Sequence, residues 1–236
     1  MSGTTDRRSQ TWSALGPAMV LPFAGALLYF VWLSEHPAAR LIYGGTKTFT
    51  LLWPVVSIAF ITRTGWPKVD LRSRTHWRAL PWGILVGLGV GALMWALMAT
   101  PVGEMVMTSA PKIRAKAQTL GVLEHYWTFA LFLSLIHSLL EEYYWRWFVF
   151  GNLRRVVPAI AAHLLAGAAF AAHHVVVTTQ YFPFGWGLLL GGLVGVGGVL
   201  WSTMYERQGT LAGAWMCHVV VDLGILSIGH RLLFGS

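Results

Sequence analysis

The chain has 236 residues, 56% of them hydrophobic and only 11% charged, with a mean hydropathy of +0.58 and a net charge of +8. A soluble domain carries about 25% charged residues, so this composition excludes a water-soluble globule. The basic residues fall mostly in short connectors between apolar runs, where membrane topology is set, which excludes a nucleic-acid partner, and the single Cys217 excludes an internal disulfide.

Taken in chain order, the apolar runs read as transmembrane helices. Arg7 and Arg8 lead into a run at 13–33 that outlasts a signal-peptide core and lacks a small-x-small site near its end. It is therefore a retained first span. The second, 42–62, holds Lys47 close enough to one end to snorkel. The third covers 79–99. Residues 101–124, with Pro101, Pro111, Lys112, Arg114 and Lys116, form a connector with room for an interfacial helix. Further spans follow at 125–147, 158–177, 184–204 and 210–229. The expected fold class is all-α: a polytopic transmembrane helical bundle of about seven spans, each near the ~20 residues a bilayer needs. A re-entrant or interfacial helix would make eight. One integral membrane domain, 1–236, is the simplest organisation.

Lys and Arg are denser on the side reached by the N-terminus, chiefly through the 63–78 loop with Arg63, Lys68, Arg72, Arg74 and Arg78. That asymmetry places the N-terminus in the cytoplasm, and size and loop economy suggest a bacterial inner membrane. Gly83, Gly87 and Gly91 repeat every four residues, as do Gly187, Gly191 and Gly195. The spacing aligns each set on one helix face, where it admits a neighbouring helix; neither set follows a strand, so no dinucleotide fingerprint is present.

The chemistry concentrates in "HSLLEEYYWRW", residues 137–147. An intramembrane charge costs at least ~2.5–3.5 kcal/mol and faces a partner or water. Glu142 and Arg146 are four apart and share a helix face, which predicts an ion pair; Glu141, rotated by about 100°, is left to handle protons. "FAAHH" at 170–174 puts His173 and His174 in the fifth run, and "HVVVD" at 218–222 puts His218 and Asp222 one turn apart in the seventh. An imidazole with a carboxylate binds a metal, activates water or stabilises an oxyanion. His137, one turn before Glu141, reads first as a helix–helix hydrogen bonder, with a supporting partner of Glu141 as the alternative. Tyr143, Tyr144, Trp145 and Trp147 read as an interfacial aromatic belt.

The ordered motifs "EEYYWR" (141–146), "FAAHH" (170–174) and "HVVVD" (218–222), with the hairpin "GLLLGGLVGVGGVLWSTMYERQGTLAGAWMCHVVVD" around the last, resemble the CAAX prenyl protease and bacteriocin-processing (CPBP, Abi) family of intramembrane endopeptidases. The resemblance covers about 125–230, the catalytic core it implies. It implies an endopeptidase acting on a membrane-associated protein or peptide beside the lipid bilayer, in a hydrated cavity. Glu141 is its general base, Glu142 and Arg146 support it, and His174, His218 and Asp222 complete the catalytic set. Asp222 stands where many members have Asn. Two schemes follow. In the preferred one there is no cofactor: Glu141, aided by His174, activates water and His218 holds the oxyanion. In the other, Glu141, His174, His218 and Asp222 ligate a divalent ion, zinc.

A straight hairpin turning near Asn152 sets Glu141 opposite His163, eleven residues or about 16 Å from His174. Either the chain bends into a re-entrant helix after Glu142 or the hairpin turns later; the bend is the expectation, with 147–155 near the inner interface. The competing class is non-catalytic: an immunity or scaffold factor, or a proton-coupled transporter, although a transporter repeat is not visible.

Overall fold

The computed structural model describes residues 2–63 and 73–235, so Lys68 and Arg72 of the inner loop lie outside it. Its described residues are predominantly helical, without strands, and the chain is an integral membrane protein by its apolar helices. Six helices are long and apolar enough to cross a membrane: Asp6–Trp32, Ala39–Thr62, Arg74–Leu97, Ala159–Tyr181, Phe184–Gln208 and Leu211–Phe234. A seventh arises only when Ala110–Thr119 is taken with Leu123–Val156, and these two meet at 90°. Leu41, Phe60, Ile160 and Phe184 stand exposed, as a bilayer solvent allows.

We number the α-helices α1 (Ser2–Leu27), α2 (Ala39–Val56), α3 (Arg74–Leu97), α4 (Pro101–Thr108), α5 (Ala110–Thr119), α6 (Tyr126–Phe132), α7 (Ser138–Glu141), α8 (Gly151–Val156), α9 (Ala159–Tyr181), α10 (Phe184–Gln208) and α11 (Leu211–Phe234). π-helical turns at Leu133–His137 and Glu142–Phe150 join α6, α7 and α8 into one run. The ends follow local chemistry. Ser73 caps α3, Thr100 with Pro101 starts α4, and Thr210 caps α11 by accepting from the Ala212 N–H. Gly209, at φ +65, supplies the left-handed turn after α10.

The expected bend after Glu142 is absent. The helix continues as the nine-residue π stretch and then α8, ending at an extended Val157 before Pro158. Proline bars the helical conformation for the residue before it, so the turn falls there and not at Asn152. The side chain of Asn152 instead donates to the Phe148 carbonyl, one turn back. The hairpin therefore turns later than Asn152, the alternative to the bend.

Packing divides the chain into two units, Met1–Leu71 with Tyr143–Thr203 and Arg72–Glu142 with Met204–Ser236. In the first, α1 meets α2 and α9. Buried Ala14, Leu15 and Ala18 give α1 a thin face, and its carbonyls take side-chain donors, Trp53 Nε1 on Ala14 at 2.9 Å and Tyr144 Oη on Ala18 at 2.8 Å. The α9–α10 hairpin closes on glycine: a Cβ at Gly187, Gly191 or Gly195 would come within 2.8 Å of Thr179, Val175 or Ala171 respectively. In the second unit α3 lies along α11, and a Cβ at Gly83 would meet the Gly213 carbonyl at 2.4 Å while one at Gly87 would meet Val220 at 2.7 Å. Gly91 itself has open space where a Cβ would go. Around Tyr126, whose hydroxyl donates to the Leu226 carbonyl at 2.6 Å, gather Ala130, Leu233, Ile113 and Ala117. The connector thus holds a real helix, α5, docked by its Ile113/Ala117 side.

Two neighbouring glycines of α10 give a test of this packing. Gly191→Ala is expected to destabilise by about 1–3 kcal/mol through overpacking. Gly192→Ala, with nothing within 4 Å, should be neutral or gain up to about 1 kcal/mol of helix propensity. Thermal unfolding of the two variants in detergent measures the difference.

Candidate active site

The second unit gathers Glu141, Glu142, His218 and Asp222. Glu141 ends α7 and Glu142 opens the following π stretch, while His218 and Asp222 lie one turn apart on α11. His218 Nδ1 is 2.8 Å from Glu142 Oε1, with both side chains closed to solvent. Its other nitrogen, Nε2, is 3.7 Å from Glu141 Oε2 and 3.6 Å from Asp222 Oδ1. These last two are longer than hydrogen bonds, a spacing at which an intervening water is to be considered. Side-chain exposure rises from 0% at Glu142 and 5% at His218 to 13% at Glu141 and 21% at Asp222.

The two adjacent glutamates differ in burial. Glu142 is sealed and fixes the His218 ring through Nδ1–H. Glu141 and Asp222 stand on the open side, at the nitrogen that remains. Sequence reasoning gave Glu142 to Arg146; its short bond to a histidine 76 residues away carried no spacing signal. The i,i+4 relation of His218 to Asp222 was legible and holds.

His137 is the residue undervalued by sequence. Its Nε2 lies 3.3 Å from Glu141 Oε1 on the same helix, so it belongs to this cluster and not to a helix–helix bond. The i,i+4 spacing to Glu141 was the available signal. A further tie, Trp215 Nε1 donating to the Leu135 carbonyl at 3.0 Å, links α11 to the π turn that carries His137.

The first unit holds His174, Arg146, His173 and His163. His174 Nδ1 is 2.9 Å from the Phe170 carbonyl on α9. As an N–H donor there it leaves Nε2 carrying the ring's lone pair. Phe170 also carries the Arg146 guanidinium, whose carbon lies 4.4 Å from its ring centroid and 4.9 Å from that of Trp201. Arg146 is buried in this sandwich, and cation–π attraction is strongest where water is excluded. A Cβ at Gly198 would press on both Phe170 and Arg146, at 3.1 and 3.4 Å. The Phe of "FAAHH" thus orients the histidine with its carbonyl and cushions the arginine with its ring; Trp201 and Gly198 had no sequence signal beyond their types. His173 stacks on Trp145 at 5.6 Å and 8°, which moves Trp145 from the expected aromatic belt to the interior. His163, which a straight hairpin would have offered in place of His174, is 2.7 Å from Ser202 and stacked on Phe150, the pattern of a helix-joining histidine.

A family model for "Type II CAAX prenyl endopeptidase Rce1-like" matches residues 123–224. Comparisons with curated proteins and with solved structures each gave no match. The match supports an intramembrane endopeptidase of the CAAX type. Segment 123–224, which carries all of the motif residues above, is thus similar to the Rce1-like type II CAAX prenyl endopeptidase family.

Proposed function

We propose that the chain hydrolyses a peptide bond of a membrane-associated protein or peptide, with Glu141 as the general base. The observation that carries this reading is the approach of Glu141 and Asp222 to Nε2 of a buried His218 whose Nδ1 is already held by Glu142. Amide hydrolysis needs a base for the water and a donor for the oxyanion. Glu141 Oε2 takes a proton from water, whose oxygen bonds to the carbonyl carbon. His218, held as an imidazolium by Glu142, donates a hydrogen bond from Nε2–H to the developing oxyanion and keeps its proton. As the C–N bond breaks, the proton passes from Glu141 to the leaving nitrogen, so that a carboxylic acid and an amine result. Between turnovers Asp222 balances the imidazolium. His174 enters on its motif position as an aid to Glu141, and its bond to Phe170 supports a lone pair on Nε2 for that task. Arg146 supports the reading as a buried cation on the helix of both glutamates.

A divalent ion is the alternative. One oxygen each of Glu141 and Asp222 lies 3.6–3.7 Å from His218 Nε2, and Glu142 behind Nδ1 is the carboxylate a ligating histidine ordinarily has. Glu141, His218 and Asp222, with His174 by motif, would hold such an ion, which supplies an acidified water when bound. The metal-free scheme is the one proposed, because Glu141 and His218 by themselves provide the base and the donor.

Glu141→Gln keeps the size of the side chain and removes the base. Termini of membrane proteins, compared by mass spectrometry in cells carrying wild type or this variant, should show a neo-terminus only with wild type, the rate falling by about 10²-fold or more. Equal profiles, with a deletion phenotype rescued by both proteins, would hand the chain to the scaffold class. Asp222→Asn separates the two schemes: without a metal the activity stays within about tenfold and resists chelators, whereas loss of a ligand costs about 10–100-fold or more and accompanies chelator sensitivity. We also place the protein in a bacterial inner membrane with its N-terminus in the cytoplasm; an N-terminal reporter active only in the cytoplasm should be active, and silence there would reverse the topology.

A further inference from the structure

We infer that His137 is a positioning residue for Glu141, fixing which carboxylate oxygen receives the proton from water; the inference rests on the proposed protease reading. The two oxygens of Glu141 are addressed separately. Oε1 lies 3.3 Å from His137 Nε2, while Oε2 is turned to His218 Nε2 at 3.7 Å. A glutamate at the open side of a cluster has three side-chain torsions to order before it is a useful base. A donor on Oε1 orders them and leaves Oε2 as the basic oxygen, on the side where His218 and Asp222 stand.

The helix is built for this placement. His137 closes the π turn Leu133–His137, and π turns inside α-helices change which residues share a face. The carbonyl of Leu135 in that turn accepts from Trp215 on α11, three residues before His218. One hydrogen bond thus sets the turn that carries His137 against the helix that carries His218. Within the second unit, the ionisable groups of this cluster include Glu141 and Glu142 on the His137 side and His218 and Asp222 on α11. His137 is 26% exposed, against 5% for His218, so it sits at the wet end of the set and can turn its N–H toward Glu141 without leaving a sealed group unsatisfied.

The experiment compares His137→Phe, which fills similar space with no donor, and His137→Gln, which keeps an N–H, using purified protein in bilayer nanodiscs and a peptide spanning the wild-type cleavage site. His137→Phe is expected to lower kcat about 10- to 100-fold with KM unchanged, the scale of a misplaced catalytic group. His137→Gln should recover activity to within about threefold of wild type. Thermal unfolding of both variants should match wild type. Three results would overturn the inference: an unchanged kcat in His137→Phe, equal losses in Phe and Gln, or a loss that tracks lowered unfolding temperature. Glu141→Gln, run beside them, keeps the two claims apart. If it retains activity, the protease mechanism itself falls; if it is inactive while His137→Phe is at full kcat, only the positioning role falls.

Discussion

The bond between His218 Nδ1 and Glu142 Oε1, 2.8 Å long and closed to solvent, sets the conditions for everything around it. Neither group could be left alone at that depth: removing one partner of a buried pair costs about 3–5 kcal/mol. With both present, the pair fixes the azimuth of α11 against the helix of the two glutamates. The other ties of that unit act in the same sense. Tyr126 holds the Leu226 carbonyl, Trp215 holds the Leu135 carbonyl, and α3 lies against α11 through Gly83 and Gly87. Each is a contact that slides out of register if α11 turns by one residue.

The spans were legible because a bilayer leaves a long record in composition: about 20 apolar residues per crossing survive any detail of packing. The glycine faces were legible for a related reason, since a four-residue period maps directly onto one side of a helix. The helix of the glutamates was harder. Gly151 and Asn152 look like a turn in sequence, yet Asn152 satisfies its own amide on the Phe148 carbonyl inside the helix, and the chain turns only where Pro158 forbids Val157 to stay helical. Hydropathy says nothing about which residues enter a π turn, so the run from 133 to 150 could be recognised as helical while its faces could not be assigned.

That same shift explains what was read and what was missed at the site. Relations within one regular helix, such as His218 with Asp222, follow from spacing alone. Relations between helices depend on rotation, and a π turn carries one more residue than an α turn. A rotation of about 100° per residue decides whether Glu141 or Glu142 points at α11. Spacing on an ideal helix could propose that the two glutamates differ and that His137 lies within reach of Glu141; it could not say that Glu142 would be the one bonded to His218.

Burial then gives the two carboxylates unequal futures. A base must exchange its proton with water and substrate, so a fully sealed carboxylate is unsuited to the task however near the chemistry it lies. Glu142, at 0% exposure and committed to Nδ1, has no such exchange open to it; Glu141, at 13% beside Asp222 at 21%, does. The histidine between them converts one role into the other. Its Nδ1 is spent on the sealed anion, and because an imidazole ring is rigid, that choice aims Nε2 at the open side. On the proposed reading, one carboxylate orients the donor and its neighbour in sequence is the base, although the two side chains are chemically the same.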